Sequence, residues 1–169
     1  GGSANVGVTT TNAASVSNTQ TFTIISLSTP PVLTAAINAS VDAAFIVTFP
    51  DDATWRGQIT GITVDGTPLT GGYSVTAGQI TFTPSASNPT TALQVSGTKT
   101  IIVAATGYNG SSVSQTINPG TATKLGTTQQ PTAPASNGAT LAQQPLVAIQ
   151  DQYGNTVTSS TASVTAAVG

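Results

Sequence analysis

The chain of 169 residues contains no cysteine, no histidine and no methionine. Without cysteine there is no disulfide framework, no thiolate metal site and no thiol nucleophile. Without histidine the Ser-His-Asp and Cys-His arrangements cannot be assembled. Charge is scarce as well. Only 5% of residues are Asp, Glu, Lys or Arg, against roughly 25% in an ordinary soluble domain. The basic residues Arg56, Lys99 and Lys124 are scattered along the chain and cannot neutralise a run of phosphates, which excludes nucleic acid as a partner. Every acid is an aspartate. The adjacent Asp51 and Asp52 on extended chain point to opposite faces, unlike the facing carboxylates of a glycosidase. These absences argue against an enzyme. No stretch approaches the roughly 20 apolar residues that span a bilayer. The opening residues carry neither a basic region nor an apolar run, so a secretion signal is expected to have been removed or to lie upstream.

What is present is a strand composition. Hydrophobic residues make up 38% of the chain, mostly Val, Ile, Ala and Leu interleaved with Thr and Ser and not gathered into helical stripes. Glycine (17) and proline (10) punctuate the sequence at short intervals, as short strands joined by turns require. The expectation is an all-β, secreted protein of the cell surface or of an extracellular filament. Its surface is solvated by uncharged polar side chains. Such a surface repels copies of itself weakly, which favours close self-association.

The strands fall into three segments. Residues 1–29 end in a strand from Thr19 to Ile25, with Phe22 and Ile24 on one face. Pro30 and Pro31 then form a stiff connector, since both φ angles are fixed and both amide donors are missing. Residues 30–119 read as a complete set of strands: Val32–Ile37, Ala44–Phe49, Ile59–Val64, Gly72–Val75, Gln79–Thr83, Thr98–Ala104 and Ser112–Ile117. Asp65-Gly66 fits a tight hairpin turn with positive φ at both central residues, and Asn118-Pro119-Gly120 forms a second connector. Residues 120–169 show strands at Thr123–Thr128, Gln144–Gln150, Thr156–Thr158 and Ala162–Val168, with a turn at Asp151–Asn155. About four strands are too few for a sandwich of about seven, so this segment reads as half a domain.

The middle segment carries a family resemblance. Trp55-Arg56, the V-x-G-x-x-L pattern from Val64 to Leu69 and the A-x-G-Y pattern from Ala105 to Tyr108 occur in order within three stretches, 54–69, 73–82 and 101–109. Together these resemble the haemoglobin-interacting or haem-binding surface module, a β-sandwich repeated in bacterial cell-surface proteins. Residues 143–157 and 162–167 are similar to bacterial immunoglobulin-like repeats of adhesins and S-layer-associated proteins. The ending of such a repeat resembles residues 13–24, at the opposite end of this chain. The resemblances imply immunoglobulin-like β-sandwiches, one complete and one partial. They also frame two accounts of the displaced order: a piece of a tandem array, or head-to-tail strand complementation between copies. In the second, Phe22 and Ile24 of one copy meet Val147, Ile149 and Val164 of the next.

The first resemblance brings haem into question, but of the usual axial ligands only tyrosine is present, at Tyr73, Tyr108 and Tyr153. Haem is therefore not expected as a cofactor. Calcium is the cofactor candidate that remains, with Asp51, Asp52, Asp151 and Asn155 offering oxygens, set against their plainer reading as turn formers. Trp55 is either a sugar-stacking platform or a structural anchor. The function expected is a structural subunit or repeat of a filament, stalk or surface layer, whose partners are copies of itself or adjacent repeats. The alternative is an adhesin module that binds carbohydrate or a host protein.

Overall fold

The computed structural model describes residues 3–11, 17–134 and 136–165. Strands β1 (Ser3–Thr11) and β2 (Ser17–Ile25) pair with each other in an antiparallel two-stranded sheet, Val6 opposite Phe22 and Ala4 opposite Ile24. Residues 30–119 form a sandwich of two sheets. One holds β3 (Phe45–Thr48), β7 (Gln79–Phe82) and β6 (Tyr73–Thr76) in that order. The other holds β5 (Thr67–Pro68), β4 (Ile59–Val64), β8 (Gly97–Ala105) and β9 (Ser111–Ile117). Strands β10 (Lys124–Gln129) and β11 (Leu146–Gln150) make a further two-stranded sheet. The all-β expectation holds.

Alternation builds the sandwich. Phe45 and Val47 of β3, Ile80 and Phe82 of β7, Ile62 and Val64 of β4, and Ile101 and Val103 of β8 are all buried, while their sequence neighbours face outward, as the two-residue period of a strand requires. Phe45 and Phe82 stand opposite each other in the ladder and stack, with ring centroids 5.2 Å apart. At the Asp65-Gly66 turn φ is 48° and 79°, the double positive geometry that matches the twist of a tight hairpin. The Asp65 carboxylate accepts from the Thr100 amide at 2.8 Å and so ties the turn to β8.

Four local expectations change. Val32–Ile37 is no strand. The Pro pair removes ladder donors at its start, and only Thr34 bridges to Thr48 of β3. Two short helices take the place of loop, α1 (Ala53–Gly57) and α2 (Thr91–Gln94). Thr156–Thr158 contributes a single bridge, Thr156 to Gln150. Of Ala162–Val168, residues 162–165 form no strand, and 166–168 lie outside the described residues. Beside β2, the second strand of the hairpin, β1, was not anticipated.

Helix α1 begins where Asp52, in extended conformation, accepts hydrogen bonds from the amides of Thr54 (2.9 Å) and Trp55 (3.0 Å), satisfying donors that a helix start leaves open. The helix drives Trp55 into the core. The ring is 0% exposed and meets Phe49 edge-on at 5.0 Å. A fully buried indole has no face to offer a sugar, so the stacking platform is withdrawn and the anchor role stands. Trp55→Ala is expected to destabilise residues 30–119 by about 3–5 kcal/mol in chemical denaturation, as for other buried aromatics. A loss under about 1 kcal/mol would contradict this packing.

Candidate functional site: an apolar tip held from both sides

Between the Pro connector and β3 the chain crosses from one sheet of the sandwich to the other. Thr34 exchanges two backbone hydrogen bonds with Thr48 of β3, at 2.8 and 3.0 Å. Two residues later the chain is tied to β9 by a side chain. Gln115 is fully buried. Its Oε1 accepts from the Ala36 amide at 2.7 Å, and its Nε2 donates to the carbonyls of Ala36 (3.1 Å) and Thr116 (2.7 Å). The carboxamide thus does for Ala36 what a neighbouring strand would do. Past the tip, the Ala39 carbonyl accepts from the backbone amide (2.8 Å) and Nδ2 (3.0 Å) of Asn118, and the Val41 amide donates to the Asn118 carbonyl at 3.1 Å. Ala39 and Val41 are buried.

Ile37 and Asn38 project from between these two anchors. Asn38 turns the chain with φ of 57°, a conformation that asparagine tolerates better than most residues. Ile37 is 90% exposed, and Ile46 on the outward face of β3 is 42% exposed. With Ala36, Asn38, Ala39, Ser40, Ala43 and Ala44 they line a shallow groove of mixed polar and apolar character. A single exposed isoleucine needs no explanation. One held on a rigid turn beside a second isoleucine and a row of alanines is arranged as a contact surface, since little side-chain or backbone freedom is lost when it is covered. Sequence reasoning placed Ile37 at the end of a strand and missed the tip. Its local signal was the isoleucine directly before an asparagine suited to left-handed backbone.

The calcium candidates all have other partners. The Asp52 Oδ1 caps α1, and Asp51 pairs with Arg56 and accepts from the Gly78 amide at 3.2 Å. Asp151 is fully buried in its turn, accepting from the Gly120, Tyr153 and Asn155 amides and from Asn155 Nδ2 at 2.8–2.9 Å. No group of three or more acids, among the described residues, is arranged to hold a metal ion.

Of the residues expected at an assembly surface, Phe22 and Ile24 lie on β2, their side chains outside the described set. Val147 and Val164 are half exposed on the β10–β11 half, with Ile149 partly covered. The tyrosines Tyr73, Tyr108 and Tyr153 pack against the sandwich core.

The fold defines a β-sandwich module. A family model described as "Heme-binding protein Shr-like, Hb-interacting domain" matches residues 32–118, just over half of the chain, and the chain belongs to that family. No curated protein and no solved structure matches it. The family is a bacterial surface module, which supports ligand binding over a purely structural subunit. The match ends before residues 143–167, whose expected likeness to immunoglobulin-like repeats no comparison supports. Haem does not fit the residues present, because the sole candidate ligands are phenols whose rings are committed to core packing. The family description itself assigns the domain to haemoglobin.

The carboxylates set the response to acid. Hydrogen bonds from the Thr121 amide and Gln152 hold Asp42 below its ordinary pKa, Arg56 does so for Asp51, and the Thr100 amide does so for Asp65. Burial pushes Asp151 up, but its amide and Asn155 donors outweigh that and bring it below the usual value too. Groups lowered in the folded state contribute stability that is fully present above the ordinary value near 3.8 and is lost as pH falls through the lowered values. The thermal midpoint is expected to stay level from neutral pH to about 5 and to drop below about 4. Calorimetry that found the drop between pH 7 and 5 would contradict this, since the chain has no histidine to titrate there.

Proposed function

We propose that the chain is a ligand-binding segment of a bacterial surface protein and that residues 30–119 recognise a host protein, haemoglobin being the first to test, through the Ile37 tip. The observation that carries this is the tip itself, 90% exposed at Ile37 yet tied down on both flanks by Gln115 and Asn118. The family's printed description supports haemoglobin as partner. Recognition is of a protein surface and needs no cofactor or catalytic group. Covering an isoleucine completely is worth about 1.5–3 kcal/mol, so the tip can act as one anchor of a contact whose remaining energy comes from polar complementarity.

Ile37→Asp is expected to weaken binding to immobilised haemoglobin about tenfold or more, with Ile46→Asp acting in the same direction. Thermal stability should be preserved in Ile37→Asp, because that side chain already faces water. Free haemin should not compete. Wild-type binding that both variants retain would sink the tip as the contact, and no binding of haemoglobin by the wild type would sink the partner.

A second reading is assembly. The β10–β11 sheet exposes Leu125 (56%) and Val147 (49%) on one face, with Leu146 (54%) beside them on β11 and Val164 (50%) further along the chain. A β1–β2 hairpin donated from another copy would cover such a face and continue head to tail, giving a filament or surface layer. Light scattering across a concentration series tests this. Growth in mass with concentration supports it, and a stable monomer at high concentration removes it.

A further inference from the structure

The junction between the sandwich and the β10–β11 sheet reads in sequence as a connector, Asn118-Pro119-Gly120, followed much later by an ordinary turn, Asp151–Asn155. In the structure these two stretches and the rim of the sandwich form one hydrogen-bonded knot. The Asp151 carboxylate, fully buried, receives four donors: the Tyr153 and Asn155 amides on one oxygen, and the Gly120 amide and Asn155 Nδ2 on the other. That fills the roughly four acceptor sites a carboxylate offers. The turn is thereby fixed to the connector.

Asn155 then reaches the sandwich. Its Oδ1 accepts from the Ser96 amide at 2.9 Å and its Nδ2 donates to the Gln94 carbonyl at 2.8 Å, both at the end of α2. Oxygen and nitrogen of one carboxamide are engaged as a peptide group would be in a ladder. From the other flank Asp42 accepts from the Thr121 amide at 2.6 Å and from Gln152 Nε2 at 3.1 Å. Tyr153, within the same turn, packs on the sandwich core. The fit is close at Gly120, where a Cβ would overlap the Asp42 carboxylate.

We infer that the Asp151–Asn155 turn is a rigid joint that fixes the orientation of the β10–β11 sheet relative to the sandwich, so that the two move as one body. Hydrogen bonds to charged groups are the stronger kind, and here Asp42 and Asp151 grip the connector from both sides while Asn155 spans to α2. The joint holds the tip at Ile37 in a set direction relative to the rest of the chain, as a spacer must if it is to present a contact surface away from the cell.

Amide relaxation by NMR on the whole chain tests this. Fitted with one overall tumbling frame, the β10 and β11 amides of the wild type should give order parameters near about 0.85, like those of the sandwich. Asn155→Ala removes only the span to α2 and one donor to Asp151. It should lower the β10 and β11 values below about 0.6 and leave the sandwich spectrum unchanged. Gly120→Ala approaches the joint from the other side by displacing Asp42 from Thr121, and should do the same, deciding the matter if Asn155→Ala disturbs the fold. Independent tumbling of the β10–β11 sheet in the wild type would overturn the inference. Variants as rigid as the wild type would also overturn it.

Discussion

The two sheets of residues 30–119 can close on each other because alternating strands give each one an apolar face, but the chain must still pass between sheets at their open margin. Backbone that crosses there leaves its ladder and risks unpaired polar groups, which cost free energy when buried. The buried Gln115 carboxamide resolves this by serving both the amide and the carbonyl of Ala36. Much depends on that one side chain. It lets the segment leave β3, reach β9 and re-enter the core at Ala39 and Val41. The most exposed large apolar side chain among the described residues is thereby left standing on a firm base.

The poverty of charge shapes what such a surface can do. Distant steering of a partner requires a field, and a net charge of −2 supplies little. Contacts made here rest on apolar cover and on uncharged hydrogen bonds, whose strength changes little with salt. Specificity then comes from shape and from the penalty of leaving polar groups unpaired. Rigidity gains weight in such a system, because flexible apolar surface with no charge pattern would bind indiscriminately.

The all-β architecture and the strands β3, β4, β6, β7, β8 and β9 were legible in the sequence to within a residue or two, since each shows the two-residue apolar period between turn residues. The Asp65-Gly66 turn was legible to its backbone angles. Where sequence reading failed, the partner lay far along the chain. Nothing near Ala36 announces that Gln115, 79 residues away, will take the place of a neighbouring strand. Nothing near Asn155 points to Gln94 and Ser96. Helix α1 was within reach, because an aspartate preceding Ala-Thr-Trp-Arg is an ordinary start signal, but five residues are too few to show a helical period. The reading of Trp55 as an anchor survived for a local reason: a lone tryptophan in a chain poor in aromatics is its largest source of buried area.

The three cations have a further consequence. Arg56 lies within α1 and pairs with Asp51, Lys99 lies within β8 and pairs with Asp65, and Lys124 lies within β10 and donates to the Gln152 carbonyl. Enzymes of the trypsin type cut after lysine or arginine and need several residues of extended, mobile chain around the cut, which regular structure withholds. The long polar loops, where nicking would otherwise concentrate, contain neither residue type. Trypsin-type enzymes are thus offered few places to cut, through the same shortage of charge that leaves the surface so plain.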